Sequence, residues 1–175
     1  ETILEFRRKE KAADDPRIVV LMARQGFPPE AEVFLRWGKG VRSVTGVATA
    51  ETRTLAFKTR PAFTVRFVCD RERKGAACIP LLPMTLRFSA PVTRSAAIRM
   101  GLRGPGGSAH KAVIPGEDDG SDSFVYGVAF PGPFPEKSKF RVEIPPDLKD
   151  DAGRLPNNRD KFPLVVETDA YPALA

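Results

Sequence analysis

Histidine is nearly missing from this chain, and with it the chemistries that depend on an imidazole. His110 is the one histidine in 175 residues, so a Ser-His-Asp or Cys-His arrangement must use it or fail. It lies in the run GPGGSAHK (104–111), which reads as a turn carrying a solvated side chain. Two cysteines, Cys69 and Cys78, and one distant histidine fall short of the four ligands that a structural zinc takes. No carboxylate pair stands out from the ordinary surface acids for acid–base work. The expectation is a protein that is not an enzyme and holds no metal or cofactor. Long apolar runs are missing too. None approaches the ~20 residues of a membrane helix, which argues against direct membrane insertion. An initiator methionine and a signal peptide are likewise lacking, and the chain reads as a piece of a longer protein.

Chain breakers, by contrast, are abundant. With 17 prolines and 14 glycines, long helices have little room, and short strands joined by turns are favoured. Hydrophobic residues make up 42% of the chain, ample for a core. Strands are expected over 17–24, 31–37, 54–60, 63–69, 84–92, 97–102, 123–130, 140–144 and 163–168, with a short one at 112–114. Residues 41–48 read as a loop or short strand, and 1–13 as a short helix or turn stopped by Asp14-Asp15-Pro16. Alternation sends Phe63, Val65, Phe67 and Cys69 inward, then Met84, Leu86 and Phe88, then Ile98, Met100 and Leu102, then Phe124, Tyr126, Val128 and Phe130. Phe67, Phe88, Tyr126, Phe140 and Val142 are the expected core.

A repeat organises these strands. FPPEAEVFLRWGKGVRSVTGVA (27–48) is echoed by FPEKSKFRVEIPPDLKDDAGRL (134–155). Val33, Leu35 and Trp37 fall on Phe140, Val142 and Ile144, Gly46 falls on Gly153, and Phe27-Pro28 lies over Phe134-Pro135. Leu55 to Thr59 then sits over Leu164 to Thr168 with a two-residue shift. The fold expected is all-β, built of immunoglobulin-like antiparallel β-sandwich modules. One is complete (62–175) and one is partial (1–61), the closing half of a sandwich, with Pro61 as the hinge.

Net charge is +6, spread over Arg36, Lys58, Arg66, Arg87, Arg99 and Arg141 rather than clustered. A single-strand binder needs aromatics beside its cations, yet Phe63, Phe67 and Phe88 alternate with Arg66 and Arg87. No nucleic-acid partner is expected. Cys69 and Cys78 flank the charged run DRERKGAA, an arrangement suited to a loop-stapling disulfide in an oxidising compartment. GLRGPGGS (101–108) looks like a phosphate loop, but no helix-forming sequence follows it, so it reads as a plain turn. GEDDGSDS (116–123) offers calcium-type oxygens without the spaced acids of an EF-hand, and reads as a solvated loop.

Four stretches carry a resemblance: WGKGVRSVTGVAT (37–49), MTLRFSAPVTR (84–94), VAFPGPFPEKSKFRVEIPPDLKDDAGR (128–154) and FPLVVETDAYPALA (162–175). Together they are similar to the amino-terminal region of bacterial alpha-2-macroglobulin-like proteins, where immunoglobulin-like modules precede the macroglobulin domains. The resemblance implies a non-catalytic scaffold fragment of a periplasmic or secreted protease trap, often lipid-anchored. Its implied partners are target proteases, met through the full-length protein, and neighbouring macroglobulin domains. Such traps offer a bait region, and many hold a Cys-to-Gln thioester beside a Glu. Here Cys69 precedes Asp70-Arg71 and Cys78 precedes Ile79-Pro80, so no functional residue of the family carries over. The alternative is a stand-alone extracellular adhesion or glycan-binding module. Trp37, in phase with Val33 and Leu35 and therefore placed in the core, speaks against a carbohydrate site.

Overall fold

The computed structural model describes residues 20–116 and 124–172. The chain divides into two compact units, Glu1–Pro61 and Ala62–Ala175.

In the first unit, alternation builds β1 (Glu32–Trp37), which pairs antiparallel with β2 (Arg53–Lys58). Val33 stands opposite Phe57, Leu35 opposite Leu55 and Trp37 opposite Arg53, so these six side chains share one face. No residue between 20 and 61 is buried. Leu55 is 50% exposed and Phe57 53%, and Trp37 is half-buried rather than in a core. Residues 20–24 form no strand, and Leu21 and Met22 are exposed. The start of that expected strand and the run 1–13 lie outside the described residues.

The second unit is a β-sandwich. Its strands are β3 (Val65–Val68), β4 (Met84–Thr93), β5 (Gly101–Arg103), β6 (Ala109–Lys111), β7 (Phe124–Phe130), β8 (Lys139–Glu143) and β9 (Leu164–Glu167). One sheet runs β3-β4-β7 and the other β6-β5-β8-β9, with every ladder antiparallel. Phe63, Val65, Met84, Leu86, Phe88, Val128 and Phe130 form one buried cluster with Leu102, Phe134, Phe140, Val142 and Val166. This is the immunoglobulin-like layering expected from alternation, with β6 pairing β5 where the constant-domain pattern places the fourth strand beside β7. The core residues Phe88, Phe140 and Val142 are buried as expected, and Phe67 packs against the cluster half-buried.

Tyr126 is not in the core. It is 64% exposed, and Phe124 53%, while Val128 and Phe130 two and four residues on are fully buried. The ladder between β4 and β7 slips between Arg87, opposite Gly127, and Val92, opposite Val125. An irregularity of this kind reverses which side chains face inward. Gly127 sits at the reversal, where an added Cβ would lie 2.6 Å from the Leu86 carbonyl oxygen. The expected strand 97–102 also begins late. A helical turn, α1 (Arg94–Ala97), precedes it, capped by the Thr93 hydroxyl, which accepts from Ala96 N. Ile98 is consequently exposed, and strand pairing starts at Gly101. Residues 112–114 supply one bridge, Val113 to Ala129, rather than a strand.

The repeat extends to individual bonds. One constant offset runs without a gap from Phe27 over Phe134 to Val47 over Arg154. Glu30 and Lys137, equivalent under it, both take positive φ, 56° and 46°, a conformation uncommon outside glycine. Gly46 and Gly153 do the same at 84° and 74°. Ser43 N donates to Val47 O as Asp150 N donates to Arg154 O, and the two glycine amides close the same turn onto Ser43 O and Asp150 O. In each hairpin the threonine ending the second strand ties it back. Thr59 Oγ1 donates to Pro28 O and Thr168 Oγ1 to Pro135 O, both at 2.6 Å. Strand register is shared as well: Val33 pairs Phe57 where Phe140 pairs Val166.

Candidate functional site

The Cys69–Cys78 disulfide closes at a Cα–Cα distance of 5.6 Å. Cys69 follows β3, whereas Cys78 is fully buried beside the end of β9. There Cys78 N donates to Glu167 O, and Asp169 N donates to Cys78 O, each at 2.8 Å. The bridge therefore joins the edge of one sheet to the edge of the other, and the charged run Arg71–Lys74 lies exposed within its ring. A disulfide of this kind fits an oxidising compartment, periplasmic or extracellular. Among the described residues, no helix is long and apolar enough to cross a membrane.

His110 is not the solvated loop residue that its neighbours imply. It lies in β6 opposite Leu102, half-buried. Its ring centroid is 5.2 Å from that of Phe134 and 5.6 Å from that of Phe140, and the two phenylalanines meet edge-on at 5.4 Å. Its Nε2 is buried and has no hydrogen-bond partner among the described residues. The ring thus serves as packing against the sandwich. The sequence signal that was available is the Ala109-His110-Lys111 alternation itself, overshadowed by the preceding glycines. Those glycines form a 3₁₀ turn, Pro105–Gly107, and the next element is strand β6 rather than an α-helix.

Asp150 is the buried charge that alternation does not reveal. Its side chain is fully enclosed, and Arg154 reaches it with Nη2 at 2.7 Å and Nε at 2.8 Å. The same carboxylate accepts from Ala152 N at 3.0 Å and Arg154 N at 2.8 Å. Short-range acceptance of this type is what aspartate does in turns. The Asp-x-Ala-Gly-Arg run is therefore a self-closing loop. Asp151 N in turn donates to Pro91 O at 2.9 Å, fastening that loop to β4.

The basic residues on the strands of the second unit lie on outward faces. Arg66 stands directly opposite Arg87 on one sheet and Arg103 opposite Arg141 on the other, while Phe63 and Phe88 point inward. Glu143 takes Arg103 Nε at 3.0 Å and Arg141 Nε at 3.2 Å. Arg99 spans both Asp147 oxygens at 3.0 and 3.1 Å and holds that carboxyl below the usual carboxylate range. Open grooves on the second unit include one beside His110, of about 510 Å³, bordered by Ile98 and Arg103, and two among basic residues. One of these two, about 540 Å³, is lined by Arg66, Arg71, Lys161 and Glu167. The other, about 460 Å³, lies among Arg141, Arg159 and a group of prolines. In the first unit, Trp37 borders a space of about 500 Å³ with Thr49, Glu51 and Arg53.

Among the described residues no group of three or more His, Cys, Asp or Glu side chains is placed to hold a metal ion. The acidic loop considered for calcium lies, beyond Gly116, outside the described residues. No family model, no curated protein and no solved structure matches the chain.

Proposed function

We propose that this chain is a non-catalytic scaffold portion of a bacterial alpha-2-macroglobulin-like protease trap of the periplasm or cell exterior. The observation that carries the reading is the tandem repeat: the same hairpin, with the same register and the same threonine tie, recurs in successive units. Successive sandwich modules are what the resemblance implies ahead of the macroglobulin domains. Three of the stretches that resemble the family coincide with structural devices here. FSAPV supplies buried Phe88, Ala90 and Val92 of β4, DDAGR forms the self-closing loop, and VVET ends in the Thr168 tie. The disulfide agrees with the compartment. The roles assigned are mechanical, and no residue is given a part in catalysis.

The full-length protein, challenged with a panel of endoproteases, provides the test. A trap is cleaved at one accessible segment outside these modules, changes its hydrodynamic size, and leaves the protease active on small peptides but shielded from large protein substrates. Cleavage without shielding or size change would overturn the reading. His110→Ala in the isolated chain is expected to leave ester, peptide and phosphate hydrolysis at background, as in the parent.

One observation favours a second reading, an extracellular adhesion or glycan-binding module. Trp37 is half-exposed at the edge of an open space, where a sugar ring stacks readily. Trp37 is the one tryptophan in the chain, so a saturable change in its fluorescence on glycan titration supports that reading, and a flat titration removes it.

A further inference from the structure

We propose that the apolar face of the β1–β2 hairpin is a docking face for a three-stranded antiparallel sheet supplied by polypeptide on the amino-terminal side of residue 20 in the full-length protein. The second unit shows what the equivalent face receives. Phe140 and Val142 of β8, Ile144 just after it, and Leu164 and Val166 of β9 stand where Val33, Leu35, Trp37, Leu55 and Phe57 stand in β1 and β2. There the face joins one continuous cluster with the β3-β4-β7 sheet, and Val166 keeps only 7% of its surface. Its counterpart Phe57 keeps 53%. Identical register and identical ties mean that the backbone presents both faces alike, so the difference lies in what is packed against them. A face of five large apolar side chains, Leu55 and Phe57 exposed and Val33, Leu35 and Trp37 only half-buried, is unstable alone on a two-stranded ribbon.

The edge of the hairpin is open as well. β8 gives its second edge to β5, with Leu102 opposite Val142. β1 has no such neighbour among the described residues. A complete set of covering strands, with the connections between them, extends from Val65 to Phe130 in the second unit. In the second unit these covering strands precede the hairpin in the chain, which places the corresponding cover of β1 and β2 on their amino-terminal side. This inference rests on the reading that the chain belongs to a larger protein, though not on that protein being a protease trap.

The test places a cysteine at Leu55→Cys, and separately at Phe57→Cys, in residues 1–175 and in the full-length protein, and follows maleimide labelling. The native cysteines are bonded to each other, so in the present chain the introduced thiol alone reacts. In the full-length protein, mass spectrometry reads the labelled peptide. Labelling is expected to be fast in the short chain and at least about tenfold slower in the full-length protein, as for any site that must open before it reacts. Thr54→Cys, on the opposite face, reacts fast in both. Equal rates at position 55 or 57 in the two chains overturn the proposal. Slow labelling already in the short chain, with a doubled mass by light scattering, assigns the face to a second copy and also overturns it. Protection in a protein that fails the protease-shielding test leaves this inference standing and removes the trap.

Discussion

Asp150 and Arg154 close their loop twice over, through a carboxylate–guanidinium contact at 2.7 Å and through the Arg154 amide at 2.8 Å onto the same carboxyl group. In the first unit Ser43 holds the equivalent place, and its hydroxyl accepts from Val47 N at 3.2 Å. Asp150→Ala strands two amides and a guanidinium against a buried site, so it is expected to cost on the order of 2–3 kcal/mol. Ser43→Ala, in an exposed loop, is expected to cost no more than about 0.5 kcal/mol. Urea unfolding of the two variants separates these values. Equal midpoints would mean that the carboxylate does not hold the loop.

Phe88 and Tyr126 test the slipped ladder. Phe88 is 5% exposed and Tyr126 64%, although simple alternation places both inward. Phe88→Ala is expected to cost roughly 3–5 kcal/mol as a large-to-small change in a packed core. Tyr126→Ala is expected to fall within about 0.5 kcal/mol of the parent. A loss of several kcal/mol at position 126 would show that the strand keeps one phase throughout.

Reducing the disulfide is expected to destabilise the second unit by about 2–3 kcal/mol, because the unfolded chain regains the freedom of a short ring. The fold persists, since both sheets retain their shared core. Thermal unfolding with and without reductant measures the loss, and thiol counting on unfolded, unreduced protein from an oxidising compartment checks the bond. Two free thiols there would refute it.

Asp147 carries the pH prediction. Hydrogen bonds from Arg99 stabilise its charged form and lower its pKa in the folded chain. The folded state then binds this proton less readily than the unfolded state does. Whatever stability the pair adds is present above the unfolded-state pKa and is lost as pH falls through the folded value. The pair is solvent-exposed, so salt screens it. Carboxyl-carbon NMR is expected to show a midpoint below that of ordinary aspartates, moving up in Arg99→Gln and in high salt. An unmoved midpoint in Arg99→Gln would remove the guanidinium as the cause.

What the residues by themselves determined is everything that depends on local period and local covalent reach. Alternation through Met84, Leu86 and Phe88 is a property of extended backbone, so it named a strand and its buried face together. The internal repeat was legible because Phe-Pro, the alternating run and the glycine recur in order, and the two hairpins duly share their register. Cys69 and Cys78 were close enough in sequence for their pairing to be read. Long-range packing decided the rest. Tyr126 is exposed because the ladder between β4 and β7 slips, and a slip belongs to two strands at once. His110 is packed because β6 is held by β5 and faces Phe134 and Phe140, none of which its glycine-rich neighbours specify. Trp37 has the period of a core residue and lacks the burial. Period says which way a side chain points, whereas burial depends on what stands across from it.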